Sequence, residues 1–368
     1  MNNVETKKFE IYKKRKETYD YLFLNNRINI YMKTIKVKIF DDASNYDFII
    51  DILKRKYIVD LSDNPDYLFF SVKSKDIYKY KCVRIFVTDE NLTPDFNICD
   101  YGIGFHYIDF QDRYIRYPVY MIGNYSYYKG DNYELDLMRA LHKHENAEEQ
   151  LKNKTNFCSF VYSNGLAVNC RERFFNELTK YKPINSGGRY KNNIGGPVEN
   201  KLSFQKKHKF AVAFENSPGY GYTTEKIVHA FSAGSIPIYW GNPAITKEFN
   251  PGSFVNCHDF GLTEKGELDA IKRIIEEIKQ IDQNDELYLK MLKTPAFQNL
   301  DYVEKQQKKF EDFLYHIFDQ PIEKAYRRNR FYWGERYERR LCIGDKFYWL
   351  CRRMIPIRDK ARRLIGDK

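Results

Sequence analysis

Two uninterrupted apolar runs, FAVAF (210–214) and IPIYW (236–240), lie one helix apart in the chain. Between them stand the loop ENSPGYGYT and the amphipathic stretch TEKIVHAFSAG, closed by Gly234. A strand, a loop, a helix and a second strand in that order constrain the fold strongly. Strands separated by helical spans build a parallel sheet with covering helices. The same alternation recurs upstream. TIKVKIFDD (34–42), YIVDLS, YLFFSV, CVRIFVTDEN (82–91) and GIGFHYIDF read as strands, and NYDFIIDILKRK fits one amphipathic helix with Phe48, Ile49, Ile52 and Leu53 on one side. A polar, helix-prone stretch (141–156) separates these elements from a second set that opens with FCSFVYSN (157–164) and the helix NCRERFFNELTKY. The Gly-rich loop NSGGRYKNNIGG follows, and Leu268, Ile271, Ile274, Ile275, Ile278 and Ile281 later keep helical spacing. The expected fold is α/β, with two Rossmann-like domains facing each other across a cleft. Residues 1–150 form the N-terminal domain, 151–322 the C-terminal domain, and 323–368 a basic helical extension.

Length and composition agree with that division. The chain has 368 residues, enough for two cores, and 43% hydrophobic with 17% aromatic residues is a folded composition. The net charge of +11 is concentrated, since residues 324–368 hold 15 Lys and Arg against 5 Asp and Glu. The seven cysteines (Cys82, Cys99, Cys158, Cys170, Cys257, Cys342 and Cys351) form no C-x-x-C pair and read as reduced, buried thiols of a cytosolic protein. The first residues lack the pattern of a secretory signal, and no apolar run is long enough to span a bilayer.

Lys226 raises a physical question. With Thr223 as N-cap, Glu225 and Lys226 fall in the first helical turn, where the backbone dipole already presents positive charge. A cation there opposes the helix by about 0.3–1 kcal/mol. The placement makes sense where an anion sits at the helix terminus and backbone N–H groups, dipole and ammonium converge on phosphate. Gly219 and Gly221 let the backbone come close, and Tyr220 and Tyr222 offer rings or hydroxyls. An ordinary strand–helix turn with a solvated lysine accounts equally well for this stretch alone. Strand ends nearby carry polar clusters (Thr88-Asp89-Glu90-Asn91, Ser163-Asn164 and Glu215-Asn216-Ser217), and ligands of open parallel sheets bind beyond such ends. Arg171 would bring a second, forked cation, or be a surface arginine. Glu90, after an apolar strand, is a candidate base or a solvated loop acid. There is no D-x-D and no H-E-x-x-H, and His208, His229 and His258 read as packing or surface residues.

These residues resemble a known family. FAVAFENSPGYGYTTEKIVHAFSAGSIPIYWGNPAITKEFNPGSFVNCHDF (210–260) is similar to the signature block of the bacterial α-1,3-fucosyltransferases, glycosyltransferase family 10. FVTDENLTPDFNICDYGIGFHYIDFQDRYIRYP (86–118) resembles their first-domain block, and FCSFVYSN followed by Arg171 a third. The resemblance implies a GT-B architecture, GDP-fucose as donor substrate, inversion at the anomeric carbon, and no metal or other cofactor. It implies Glu90 as general base. Donor contacts would come from Arg171 and Lys226 to the diphosphate, from Tyr222 and Glu225 to phosphate and to sugar or ribose hydroxyls, and from Asn216 and Ser217 in the loop ahead. The match at Arg171 needs one inserted residue, and Thr223 stands where the family has a small apolar residue. The implied acceptor is an oligosaccharide of lactosamine or lactose type, fucosylated on the 3-hydroxyl of N-acetylglucosamine or glucose as in Lewis-type surface glycans. A GT-B transferase using another sugar nucleotide is the alternative.

The tail, RRNRFYWGERYERRLCIGDKFYWLCRRMIPIRDKARRLIGDK, interleaves basic and aromatic residues. Phe347, Trp349, Leu350 and Met354 could form an apolar face beside Arg352 and Arg353, which suits an anionic membrane surface. Nucleic-acid binding and a helix packed back on the first domain are the alternatives, though no nucleic-acid-binding motif accompanies the tail. With the absent secretory signal, this gives an expected location in the cytoplasm, peripheral on the inner face of the cell membrane.

Overall fold

Apolar strands that alternate with helices leave both sheet faces to be covered, and every strand pairing follows from that. The computed structural model describes residues 32–40, 48–122 and 133–352. The first sheet holds β1 (Thr34–Ile39), β2 (Ile58–Leu61), β3 (Tyr67–Phe70), β4 (Val83–Val87), β5 (Tyr101–Gly104) and β6 (Tyr114–Arg116), in the order β2-β1-β3-β4-β5-β6. The second holds β7 (Asn156–Phe160), β8 (Ile184–Ser186), β9 (His208–Phe214), β10 (Ile236–Trp240) and β11 (Val255–Asn256), in the order β11-β10-β9-β7-β8. All strand pairs within both sheets are parallel. The expected two-lobed α/β architecture is present. β6, β8 and β11 were not anticipated, because two or three residues carry too little periodicity to register.

The helices that matter below are α1 (Phe48–Lys54), α2 (Tyr133–Leu141), α3 (Asn169–Thr179), α4 (Lys201–Lys206), α5 (Glu225–Ser232), α6 (Leu268–Gln283), α7 (Tyr302–Asp319) and α8 (Tyr332–Arg352). On α1 the fully buried residues are Ile49, Ile50 and Leu53, and the expected Phe48 and Ile52 pack partly buried against the same core. On α6 the isoleucines face inward as expected, but Leu268 at the first position is 48% exposed.

The second sheet has its own core, built on Phe160, Phe174, Phe214, Trp240 and the α6 isoleucines. The core of the first sheet is larger and takes in residues of the second lobe, among them Tyr222, Ile227, Phe231 and Phe249. The lobes therefore share apolar packing at their junction. α7 follows the second lobe in sequence yet packs on the first sheet. The ring of Phe318 lies 4.3 Å from that of Tyr67, and the ring of Phe310 lies 4.0 Å from that of Tyr117. Residues 302–319, expected within the second domain, thus cover the first.

The chain then runs onto the outer edge of the first lobe. Backbone N–H groups of Arg327 and Arg328 donate to Asp100 Oδ1 at 2.8 and 2.9 Å, and the Arg328 guanidinium pairs with the same carboxylate. Glu338, in the second turn of α8, pairs with buried Arg84 at 2.9 Å, and Tyr337 donates to Asp95 at 2.8 Å. The first turns of α8 are therefore docked on the first lobe, one of the arrangements open from sequence. Its outward surface mixes apolar and charged residues: Trp333 is 65%, Ile343 68% and Phe347 68% exposed, interleaved with exposed Glu335, Arg336, Arg339 and Arg340, and Phe331 just ahead of the helix is 82% exposed. The side chains of Trp349, Leu350 and Arg352, and all of Arg353 and Met354, lie outside the described residues. No helix among the described residues is long and apolar enough to cross a membrane.

Phe318 is fully buried among Tyr57, Tyr67 and Phe69. Phe318→Ala should cost about 3–5 kcal/mol of stability. Urea denaturation followed by tryptophan fluorescence measures it, with the midpoint falling.

Candidate functional site

In the second sheet the chain leaves β7 for β8 on one side and then returns to β9 on the other. The carboxyl ends of β7 and β9 therefore flank a point where the winding direction switches, the place where open α/β sheets bind ligands. The expected donor-side residues gather there because α3 follows β7 and α5 follows β9.

The last residues of the β9 segment organise the site. Glu215 is fully buried directly after the strand. Its Oε2 accepts from Lys226 Nζ at 3.0 Å and from Thr224 Oγ1 at 2.7 Å, while Oε1 accepts the Thr224 backbone N–H at 2.7 Å. The N-cap of α5 is Thr224 rather than Thr223, and its own side chain makes no capping bond. Thr223 is buried and instead accepts from Asn242 Nδ2 at 3.0 Å. Glu215 thus supplies the negative charge that makes Lys226 tolerable in the first helical turn. Lys226 is neither solvated nor dependent on an outside anion for its place. Burial alone would favour the neutral amine, but Glu215 and Glu225 outweigh it and hold the ammonium far above its ordinary range. Burial likewise raises the Glu215 carboxyl, against the pull of Lys226. Of the three ammonium N–H groups, Glu215 and Thr224 engage two, which leaves one for a ligand oxygen. Gly241, with φ near +150°, makes room for this arrangement: a Cβ there would stand 2.4 Å from Glu215 Cγ.

Asn216 holds the other cation. Its Oδ1 accepts from Arg171 at 3.1 Å, and Arg171 also donates to the Asn164 carbonyl. Arg171, the third residue of α3, is 1% exposed, with its guanidinium 4.2 Å above the Tyr162 ring. The surface-arginine alternative is therefore corrected by burial and stacking. Two cations from two helices are anchored on consecutive residues of one strand end.

Ser217 faces the other lobe. Asn91 Nδ2 donates to Ser217 Oγ at 2.8 Å and to the Pro218 carbonyl at 2.9 Å. That bond ties the loop after β4, which carries Glu90, to the loop that leads into α5. Glu90 is exposed rather than enclosed; its backbone N–H donates to Thr88 Oγ1 at 3.0 Å. Tyr222 is 4% exposed and packs edge-on against Phe105 of the first lobe, with ring centroids 5.2 Å apart. Gly221 has φ near +104°, and a Cβ on it would meet the Phe105 carbonyl at 2.3 Å. The glycine is required by the approach of the lobes as much as by any ligand.

A clasp closes the same junction. Buried Glu248 of the second lobe pairs with Arg116 of the first and accepts from the hydroxyls of Tyr107 and Tyr120. Arg116 also donates to the Gly221 carbonyl at 2.9 Å. Glu225 sits at the start of α5, 4% exposed, and among the described residues its Oε2 is buried without a hydrogen-bond partner. Among the described residues, no group of three or more His, Cys, Asp or Glu is placed to hold a metal ion.

Sequence reasoning brought Asn216, Ser217, Glu225, Lys226 and Arg171 to one place, with Glu90 across from them. Glu215 and Asn91 were legible only as members of polar clusters at strand ends, without their partners, and Tyr162 and Glu248 left no such signal. The partners of Asn91 and Glu248 are more than a hundred residues away in sequence, at separations of 126 and 141.

Comparison with known proteins agrees with this geometry. Residues 35–123 match the sequence model of the alpha-(1,3)-fucosyltransferase FucT N-terminal domain, and residues 151–333 match that of the glycosyltransferase family 10 (fucosyltransferase) C-terminal region. The chain is 36% identical over 277 residues to the alpha-(1,3)-fucosyltransferase FucT of Helicobacter pylori, covering 68% of this chain and 56% of that one. It is 27% identical over 313 residues to a putative fucosyltransferase of Acanthamoeba polyphaga mimivirus, covering 79% and 48%. The chain thus spans about half the length of these curated relatives. A crystal structure of an alpha1,3-fucosyltransferase superposes with a TM-score of 0.64 at 29% identity, covering 84% of this chain and 96% of that one. One solved with GDP-fucose superposes with a TM-score of 0.60, also at 29% identity, covering 78% and 93%.

Removing one partner of a buried ion pair strands the other. Glu215→Gln should destabilise the fold by about 3 kcal/mol, and adding Lys226→Met should recover part of that loss. Urea midpoints of the single and double variants test this.

Proposed function

The chain belongs to glycosyltransferase family 10, the fucosyltransferases, and we propose that it transfers L-fucose from GDP-fucose to an oligosaccharide with inversion at the anomeric carbon. The acceptor in this reading is the 3-hydroxyl of N-acetylglucosamine or glucose in a lactosamine- or lactose-type chain, as in Lewis-type surface glycans. The observation that carries it is the convergence of Arg171 and Lys226 on adjacent residues of one strand end, opposite the loop that carries Glu90.

The chemistry asks for what these side chains offer. A sugar hydroxyl is a weak nucleophile, and the Glu90 carboxylate takes its proton as the oxygen attacks. Glu90 is exposed on the first lobe, open to an incoming oligosaccharide. The fucose carbon passes through an oxocarbenium-like state while negative charge builds on the departing GDP oxygen. The Arg171 guanidinium, the free Lys226 donor and the amino-terminal turn of α5 stabilise that charge. These fixed cations make a bridging metal ion unnecessary to the proposal. Asn216 and Ser217 position the loop between the cations and the acceptor side, and Tyr222 braces it against Phe105. The unpartnered Glu225 Oε2 accepts from a donor sugar or ribose hydroxyl. Attack from the face opposite GDP turns the β-linked donor into an α-linked product.

Exposed Trp333 and Phe347, interleaved with exposed Arg336, Arg339 and Arg340, and the basic excess of residues 324–368 support attachment to an anionic membrane surface. We place the protein in the cytoplasm, peripheral on the inner face of the cell membrane, with no role for nucleic acid.

Glu90→Gln should abolish fucosyl transfer to N-acetyllactosamine while leaving GDP-fucose affinity within about two-fold, because only the proton acceptor is lost. Product analysis by NMR together with calorimetry of donor binding reads both quantities, and normal turnover by this variant would remove Glu90 from the mechanism. Deleting residues 340–368 retains the docked turns of α8 and should move the protein from sedimenting to soluble with vesicles containing phosphatidylserine; continued sedimentation would refute membrane attachment through the tail.

A further inference from the structure

Behind the cation site lies a line of buried polar side chains that the mechanism above does not use. Lys201, the first residue of α4, is 8% exposed, and its Nζ lies 3.1 Å from Nδ1 of His229. An ammonium only donates, so His229 Nδ1 must accept. The imidazole is then neutral and carries its proton on Nε2, which faces Asp136 of α2 at 3.9 Å. Asp136 in turn accepts from Ser232 Oγ at 2.8 Å. His229 is also 7% exposed and stands on α5 four residues after Glu225, one helical turn along the same face. Asn200 caps α4 through its side chain, accepting from the Ser203 N–H at 2.7 Å, so the backbone that carries Lys201 is held in place.

We propose that Lys201 is a positioning residue for donor binding, a second buried cation behind Lys226, which lies 3.7 Å from Glu225 Oε1, and that together they keep the Glu225 carboxylate charged and its unpartnered Oε2 available to a donor hydroxyl. The inference rests on the fucosyl-transfer reading and deepens it. A carboxylate buried with one oxygen unsatisfied would otherwise take up a proton and lose its strength as an acceptor. The electrostatics agree with the geometry. Burial pushes the Glu225 carboxyl upward, but Lys226 foremost, then His229 and, as a smaller contribution, Lys201, hold it below the usual carboxylate range. Burial lowers Lys201 to about 8, which leaves it mostly protonated at neutral pH. Burial and the nearby Lys201 push His229 down to about 3, consistent with its neutral form. The sequence showed none of this, because Lys201 looks like one lysine in a basic stretch (KLSFQKKHK).

The test is a double-mutant cycle on the full chain, with GDP-fucose affinity measured by calorimetry. Lys201→Gln retains a donor for His229 and removes only the charge. It should weaken GDP-fucose binding about ten-fold, as should Glu225→Gln, and the double variant should bind no worse than Glu225→Gln alone. Lys201→Arg should stay within about three-fold of the unaltered chain, because it keeps the charge. Should Lys201→Gln not fold, Lys201→Gln/His229→Gln, whose two amides can bond each other, replaces it in the cycle. A merely structural lysine would give a loss that persists undiminished in the Glu225→Gln background, and that result overturns the proposal, as does unchanged affinity in Lys201→Gln. Failure of the unaltered chain to bind GDP-fucose at all would instead sink the fucosyl-transfer reading itself.

Discussion

The ion pair between Glu215 and Lys226 is the interaction on which the rest of the site depends. It is buried, and neither partner is tolerable there without the other: a lone lysine opposes the dipole of α5, and a lone carboxylate would sit without charge compensation. The same carboxylate caps the start of the helix, so one side chain fixes the end of β9, the beginning of α5 and the direction of the ammonium. Arg171 is set by the next residue along, and the bridge to the first lobe by the one after that. A short strand end thus carries the relation between two cations and the loop that faces them.

A second constraint acts between the lobes. Glu248, Arg116 and two tyrosine hydroxyls form a buried polar clasp beside a shared apolar cluster. Gly221 lies against the Phe105 carbonyl and donates to Asn242 at 2.9 Å, so the loop ahead of α5 is held from both sides. Packing of this kind arranges the charged groups before any ligand arrives, and preorganised charge is what stabilises a departing phosphate without reorganisation at the moment of reaction. The tyrosines of this loop serve that brace, which explains why Tyr222 is buried rather than presented to solvent.

The carboxy-terminal region takes up one of the arrangements open from sequence, packing back on the first lobe. Asp100 accepts the backbone N–H groups of Arg327 and Arg328 and the Arg328 guanidinium, and Arg84 donates to Glu338, so the entry to α8 is bolted to the first lobe. The helix leaves Trp333, Ile343 and Phe347 uncovered, with exposed Arg336, Arg339 and Arg340 interleaved among them.

The sequence by itself determined the two lobes with parallel sheets and the family, because apolar strand runs, helical spacing and a specific signature block are local patterns. It also posed the right question about Lys226. What only the tertiary structure decided was the answer: the balancing charge is Glu215, the N-cap is Thr224, Arg171 is stacked and buried, and α7 crosses back to cover the first sheet. Those facts depend on which side chains meet once distant segments pack. Charge compensation and burial are properties of that meeting, and no local periodicity encodes them.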